Sequence, residues 1–148
     1  MRISLLMSLI LAAFAQTPGQ DLPTGFHDVH AREIPWTSNP TVPGGQFAIL
    51  LGNPSQPGPL VVRVRFPPNT IVAPHTHPEA RTYTVLAGTW KLGFGDAYDA
   101  KKLRSYPAGS LYRLPARVPH FQASGDIETV VQIESIGPSG TDFIKSIR

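Results

Sequence analysis

Pro74-His75-Thr76-His77-Pro78-Glu79-Ala80-Arg81-Thr82-Tyr83-Thr84-Val85-Leu86-Ala87-Gly88 is the stretch on which the reading of this chain turns. Thr70 to His77 reads as a strand stopped by Pro78. Thr82 to Leu86, β-branched and aromatic, reads as the next. Residues i and i+2 of a strand point to the same face, so the imidazoles of His75 and His77 converge. Imidazole suits zinc, iron, copper, nickel and similar ions. On spacing alone, two neighbouring histidines on a surface strand explain the pair equally well.

The flanks carry the same signature. Phe47 to Leu51 is an apolar run ended by Gly52-Asn53-Pro54. In Leu60 to Phe66, Val62, Val64 and Phe66 alternate with Val61, Arg63 and Arg65. Period two sends the first set inward and the arginines outward. Downstream, Thr89 to Leu92, Ser110 to Leu114, His120 to Gln122 and Ile127 to Ile136 read as strands, Gly93 to Asp96 as a loop, and Asp99 to Leu103 as a single helical turn. With 16 prolines and 13 glycines, long helices are disfavoured. Short strands punctuated by turns predict an all-β sandwich or barrel. No internal repeat or linker divides the chain, and 148 residues suit one domain with its own core.

The ends differ from this pattern. Met1-Arg2, an apolar run from Ile3 to Phe14 and an Ala13-Phe14-Ala15 site predict a signal peptide over 1–15. The run is too short for a spanning helix of ~20 residues, so the expectation is a periplasmic or secreted protein with no membrane anchor once the leader is removed. Residues 16–45, rich in Pro, Gly and Thr, read as an extended arm, and 46–148 as the barrel. Such an arm would suit exchange between two protomers in a homodimer. There is no cysteine, which excludes disulfides, a thiol nucleophile and thiolate ligands. The formal charge is +3, but the basic residues are scattered over several segments, against a nucleic-acid partner. No Gly-x-Ser-x-Gly elbow is present. His27 and His30 lie in the arm, where nothing fixes their geometry.

The quoted stretch resembles the first cupin motif, two histidines followed by a strand closing on glycine. Gly109-Ser110-Leu111-Tyr112-Arg113-Leu114-Pro115-Ala116-Arg117-Val118-Pro119-His120 resembles the second, a glycine, a proline and one histidine. The resemblance covers residues 47 to 136 and extends to small single-domain cupins with loops like Leu92 to Asp96. It implies a cupin-type jelly-roll β-barrel in which His75, His77 and His120 hold one divalent transition metal (Fe, Mn, Ni, Zn or Cu).

The family's glutamate ligand stands seven residues before the motif's closing glycine, and here that position is Arg81. Arg81, Tyr83 and Val85 share parity, so the guanidinium faces the side where the glutamate would point. It cannot ligate a cation. Five ångströms from a divalent ion it would cost several kcal/mol at an effective dielectric near 20. Either Arg81 swings out to solvent, or it holds an anionic substrate beside the metal, or the site has lost its metal. Glu79 is the alternative carboxylate. Tyr83 could offer its hydroxyl to a substrate or simply pack in the core.

The expected activity is that of a metal-dependent enzyme of dioxygenase, lyase or isomerase type on a small anionic or hydroxylated substrate, with Arg81 and Tyr83 as catalytic candidates. A non-catalytic barrel binding a sugar or organic acid is the reading from another class. Metal storage is a third, disfavoured by the lack of a fourth protein ligand.

Overall fold

The computed structural model describes residues 22–145; the expected leader over 1–15 lies outside them. Among the described residues, eleven strands make up nearly all of the regular structure: β1 (Thr37–Ser38), β2 (Gln46–Leu51), β3 (Gly58–Phe66), β4 (Ile71–Thr76), β5 (Arg81–Ala87), β6 (Thr89–Phe94), β7 (Arg104–Pro107), β8 (Leu111–Leu114), β9 (His120–Ser124), β10 (Thr129–Gly137) and β11 (Asp142–Phe143). The helical turn expected near residue 100 is a 3-10 turn at Ala100–Lys102, which Asp99 caps by accepting from the Lys101 amide. No helix among the described residues is long and apolar enough to cross a membrane.

The strands form two antiparallel sheets, ordered β1-β2-β3-β10-β5-β8 and β11-β4-β9-β6-β7. This is a jelly roll. Alternation decides which residues enter it. On β5, Arg81, Tyr83 and Val85 are buried, while Thr82 and Thr84 are half-exposed. On β3, Leu60, Val64 and Phe66 are buried. Its arginines face outward, but they are not bare: Arg63 donates to Gln132 Oε1 (3.0 Å) and Arg65 lies 4.3 Å from the centre of the Trp36 ring. Trp90, Val131, Leu114 and Val42 complete the interior, with the Phe66 and Trp90 rings 4.3 Å apart. Each such side chain contributes roughly 1.5–3 kcal/mol by leaving water.

Two features depart from the sequence reading. Gly93 is not in a loop: β6 runs on to Phe94, and Gly93 pairs with Phe121 of β9. Glycine is required there because a Cβ would overlap the Phe121 ring. Gly93→Ala is therefore expected to destabilise by about 1–3 kcal/mol through overpacking. Thermal melts would read this, and a loss under about 0.5 kcal/mol would mean that Phe121 yields. The short strands β1, β7 and β11 were not expected either. Part of the arm is ordered by them: β1 pairs with β2, and His27 Nε2 donates to Leu50 O (2.6 Å), so residues 27–38 lie along the edge of their own barrel.

Candidate metal centre

His75 sits at the end of β4 and His120 at the start of β9, directly paired across the ladder. Simple alternation does not put His75 inside. Ile71 and Ala73, of the same parity, are exposed, whereas His75 is 2% exposed. The register explains this. Val72 pairs with Gln122 and His75 with His120, so β4 advances three residues while β9 advances two. That β-bulge inverts the facing of the strand and re-aims the histidine. Pro74 lies inside the bulge, where a residue without an N–H costs no ladder bond. The Ala73 carbonyl, freed from the ladder, accepts from His75 Nδ1 (2.7 Å).

His77 lies just past the strand, before Pro78. Its carbonyl accepts from the Arg117 amide (2.8 Å) and its Nδ1 donates to Gly140 O (2.8 Å), in the segment after β10. His120 Nδ1 donates to Val118 O (2.9 Å). A carbonyl can only accept, so all three Nδ1 atoms carry the proton and all three Nε2 atoms present lone pairs. Ligand nitrogens of the three rings lie within 4.8 Å of one another. This is the tautomer and second-partner pattern that orients metal-binding histidines.

One observation tests the fit to a metal. His120 Nε2 is a buried nitrogen with no hydrogen-bond partner. A buried acceptor left unmade costs about 1–3 kcal/mol, and a cation would satisfy it. The rings are also kept neutral, as ligands must be. Burial, then the neighbouring His120, lowers His75 to about 4. Burial, then the Arg81 charge, lowers His77 to about 2. Burial lowers His120 as well. Three neutral imidazoles with room for a further ligand match the donor set of catalytic three-histidine sites.

The same shifts predict an acid sensitivity of the metal-free protein. The folded histidines have lowered pKa values, so the unfolded chain binds more protons below 6.5. Their contribution is present above pH 6.5 and is lost as pH falls towards 4 for His75 and 2 for His77. From His75 alone the loss at pH 4 is about 3 kcal/mol. Denaturant midpoints of chelator-treated protein at pH 7.5 and 4.5 should differ accordingly, and the difference should shrink in His75→Gln.

Arg81 does not swing out to solvent. Its side chain is 11% exposed, and Nε donates to Glu79 Oε1 at 2.7 Å. Nη2 donates to Ser139 Oγ (2.9 Å) and Gly140 O (2.7 Å). Glu79 also accepts from the Ser139 hydroxyl and the Gly140 amide. The expected repulsion is thus answered by an adjacent carboxylate. Glu79, weighed above as a replacement ligand, is committed to this pair. Gly140 O accepts from both Arg81 and His77, so the pair and the triad share an anchor.

The Tyr83 hydroxyl lies 3.2 Å from His77 Nε2 and, since that nitrogen carries a lone pair, donates to it. Burial raises the Tyr83 pKa, so the group stays a phenol. Tyr83 also stacks on Tyr112, centroids 4.8 Å apart. Tyr112 OH accepts from Trp90 Nε1 (3.1 Å) and Gln122 Nε2 (3.0 Å). Gln122 was missed in the sequence, although its parity with His120 was a usable signal. Ser139 and Gly140 had none. His27 and His30 remain in the arm and take no part in the triad.

A jelly roll with a buried histidine triad between its sheets is the architecture of a small single-domain cupin. The chain belongs to the ChrR cupin-like domain family, whose profile matches residues 25–139. A germin-like protein of Oryza sativa subsp. japonica is 30% identical over 80 residues, 53% of this chain and 37% of that protein. The match therefore spans little more than a third of the relative. The polyketide cyclase RemF of Streptomyces resistomycificus superposes with a TM-score of 0.67 at 16% identity, over 81% of this chain and 86% of that one. KdgF of a Halomonas species does so with a TM-score of 0.58 at 20% identity, over 76% and 94%. At these identities the structural likeness is one of fold.

Proposed function

We propose that this chain is a metal-dependent cupin enzyme, exported to the periplasm or beyond, that acts on a small hydroxylated or anionic substrate. The observation that carries the reading is the convergence of three imidazoles whose Nδ1 atoms donate to carbonyls, leaving proton-free Nε2 atoms of which that of His120 is buried and unpartnered. His75, His77 and His120 would hold one divalent transition metal. With three neutral ligands such a metal keeps its full charge and open positions, and supplies Lewis-acid or oxygen chemistry of dioxygenase, lyase or isomerase type. A structural neighbour that is a cyclase supports an enzymatic use of the fold, though fold alone does not decide function.

The surrounding residues have separable roles. Tyr83 is a hydrogen-bond donor, and the raised pKa keeps it from acting as a phenolate base. A ligand that occupied His77 Nε2 would release its hydroxyl towards the cavity that both residues line. Arg81 works as half of a neutral pair, which keeps a cation beside the triad tolerable and leaves its remaining N–H groups for substrate oxygens.

Elemental analysis of untagged mature protein tests the reading. About one equivalent of a transition metal per chain is expected. Absence of metal, even after soaking with Fe, Mn, Ni, Zn and Cu, would overturn it in favour of a non-catalytic binding barrel.

A further inference from the structure

Two cavities adjoin at Arg81. The inner one, about 130 Å³, is bounded by His75, His77, Tyr83 and Gln122 among others. The outer one, about 270 Å³, has walls of Pro40, Phe47, Ile49, Leu60 and Val62. Asn39, Val64, Arg81, Ile133 and Thr141 line both. A cavity of ~150 Å³ holds a benzene molecule. The inner chamber thus admits a head of about that size, and the outer one a body about twice as large.

We propose that the substrate is amphipathic, with a hydroxylated head of ring size directed at the histidines and an apolar body seated in the outer chamber. This rests on reading the triad as a metal centre, and it narrows the substrate class. A sugar is disfavoured because its hydroxyls would lose their hydrogen bonds against Phe47, Ile49, Leu60 and Val62, and an unmatched buried hydroxyl is costly. A small carboxylate is disfavoured at the junction, because the Arg81 charge is already matched by Glu79 at 2.7 Å. Beside the histidines, the remaining polar side chains of the two chambers are few and uncharged: Thr41, Tyr83 and Gln122 inside, Ser135 and Ser139 outside, and Asn39 and Thr141 lining both. Ligand sites are commonly built this way, mostly apolar with a few placed polar groups.

The test is calorimetric titration of the full mature chain, metal-free and zinc-loaded, with phenol, 4-ethylphenol and 4-butylphenol, and with 4-butylbenzoate as the charged analogue. Affinity is expected to rise about fourfold per added carbon, so that 4-butylphenol binds roughly 250-fold more tightly than phenol. Ile49→Glu, at a position 38% exposed, is expected to flatten the series while leaving zinc affinity and melting temperature unchanged. Ile49→Gln serves if the charged variant does not fold. A flat series in the wild type, an unaltered slope in the Ile49 variants, or tighter binding of 4-butylbenzoate to the metal-free protein would each overturn the proposal. A steep series in a protein that binds no zinc would retire the metal reading and still support the two-chamber pocket.

Discussion

Glu79→Ala is expected to lower stability by roughly 3–5 kcal/mol, the cost of leaving a buried charge uncompensated. The Arg81 and Glu79 side chains are 11% and 9% exposed, so water cannot take the carboxylate's place without reorganising the junction. The loss does not stop at one ion pair. Glu79 also accepts from the Ser139 hydroxyl and the Gly140 amide, and Gly140 supplies the carbonyl that anchors His77. At ~2–4 °C per kcal/mol for a chain of this size, the melting temperature should drop by about 6–20 °C. Glu79→Ala with Arg81→Met is the informative companion, since replacing a whole buried pair by apolar groups is often neutral. The double variant should recover most of the loss. If Glu79→Ala alone costs under 1 kcal/mol, the pair is solvated in solution and its closed geometry is not what holds Arg81.

His75→Ala combined with His77→Ala should abolish stoichiometric metal binding. Losing even the groups that orient metal ligands costs 10–100-fold in affinity, so losing two of three ligands should exceed roughly 1000-fold. The fold should survive, because neither ring belongs to the apolar cluster of Val64, Phe66, Tyr83, Val85, Trp90 and Val131. Circular dichroism and elemental analysis on the same samples separate the two effects. His27→Ala, in the arm, is the control and should leave metal content unchanged. Metal retained by the double variant would place the ion elsewhere.

The sequence by itself determined the class of fold and the His75 and His77 pair, and the resemblance of residues 109–120 to the second cupin motif added His120 as the third candidate ligand. The fold class and the pair depend on local information: alternation in β3 and β5, prolines and glycines at strand ends, and paired histidines two residues apart. Two of the three Nδ1 anchors are local as well, the carbonyls two residues before His75 and His120. The arm from 22 to 45 read as irregular, and most of it is, but its attachment to the edge of β2 depended on a partner strand that no local pattern announces.

What only the tertiary structure decided involves partners far apart in the chain or a break in period. The bulge at Ala73-Pro74 reverses the facing of β4, and it shows only once β4 is set against β9. Without it, His75 inside would have required Ile71 and Ala73 inside too. Arg81 looked like a charge without a partner because Ser139 and Gly140, which complete its coordination with Glu79, lie 58 and 59 residues away. Side-chain period encodes which way a residue faces, because strand sterics are local. What it meets there depends on sheet closure, which brings together segments whose separation in sequence carries no periodic trace.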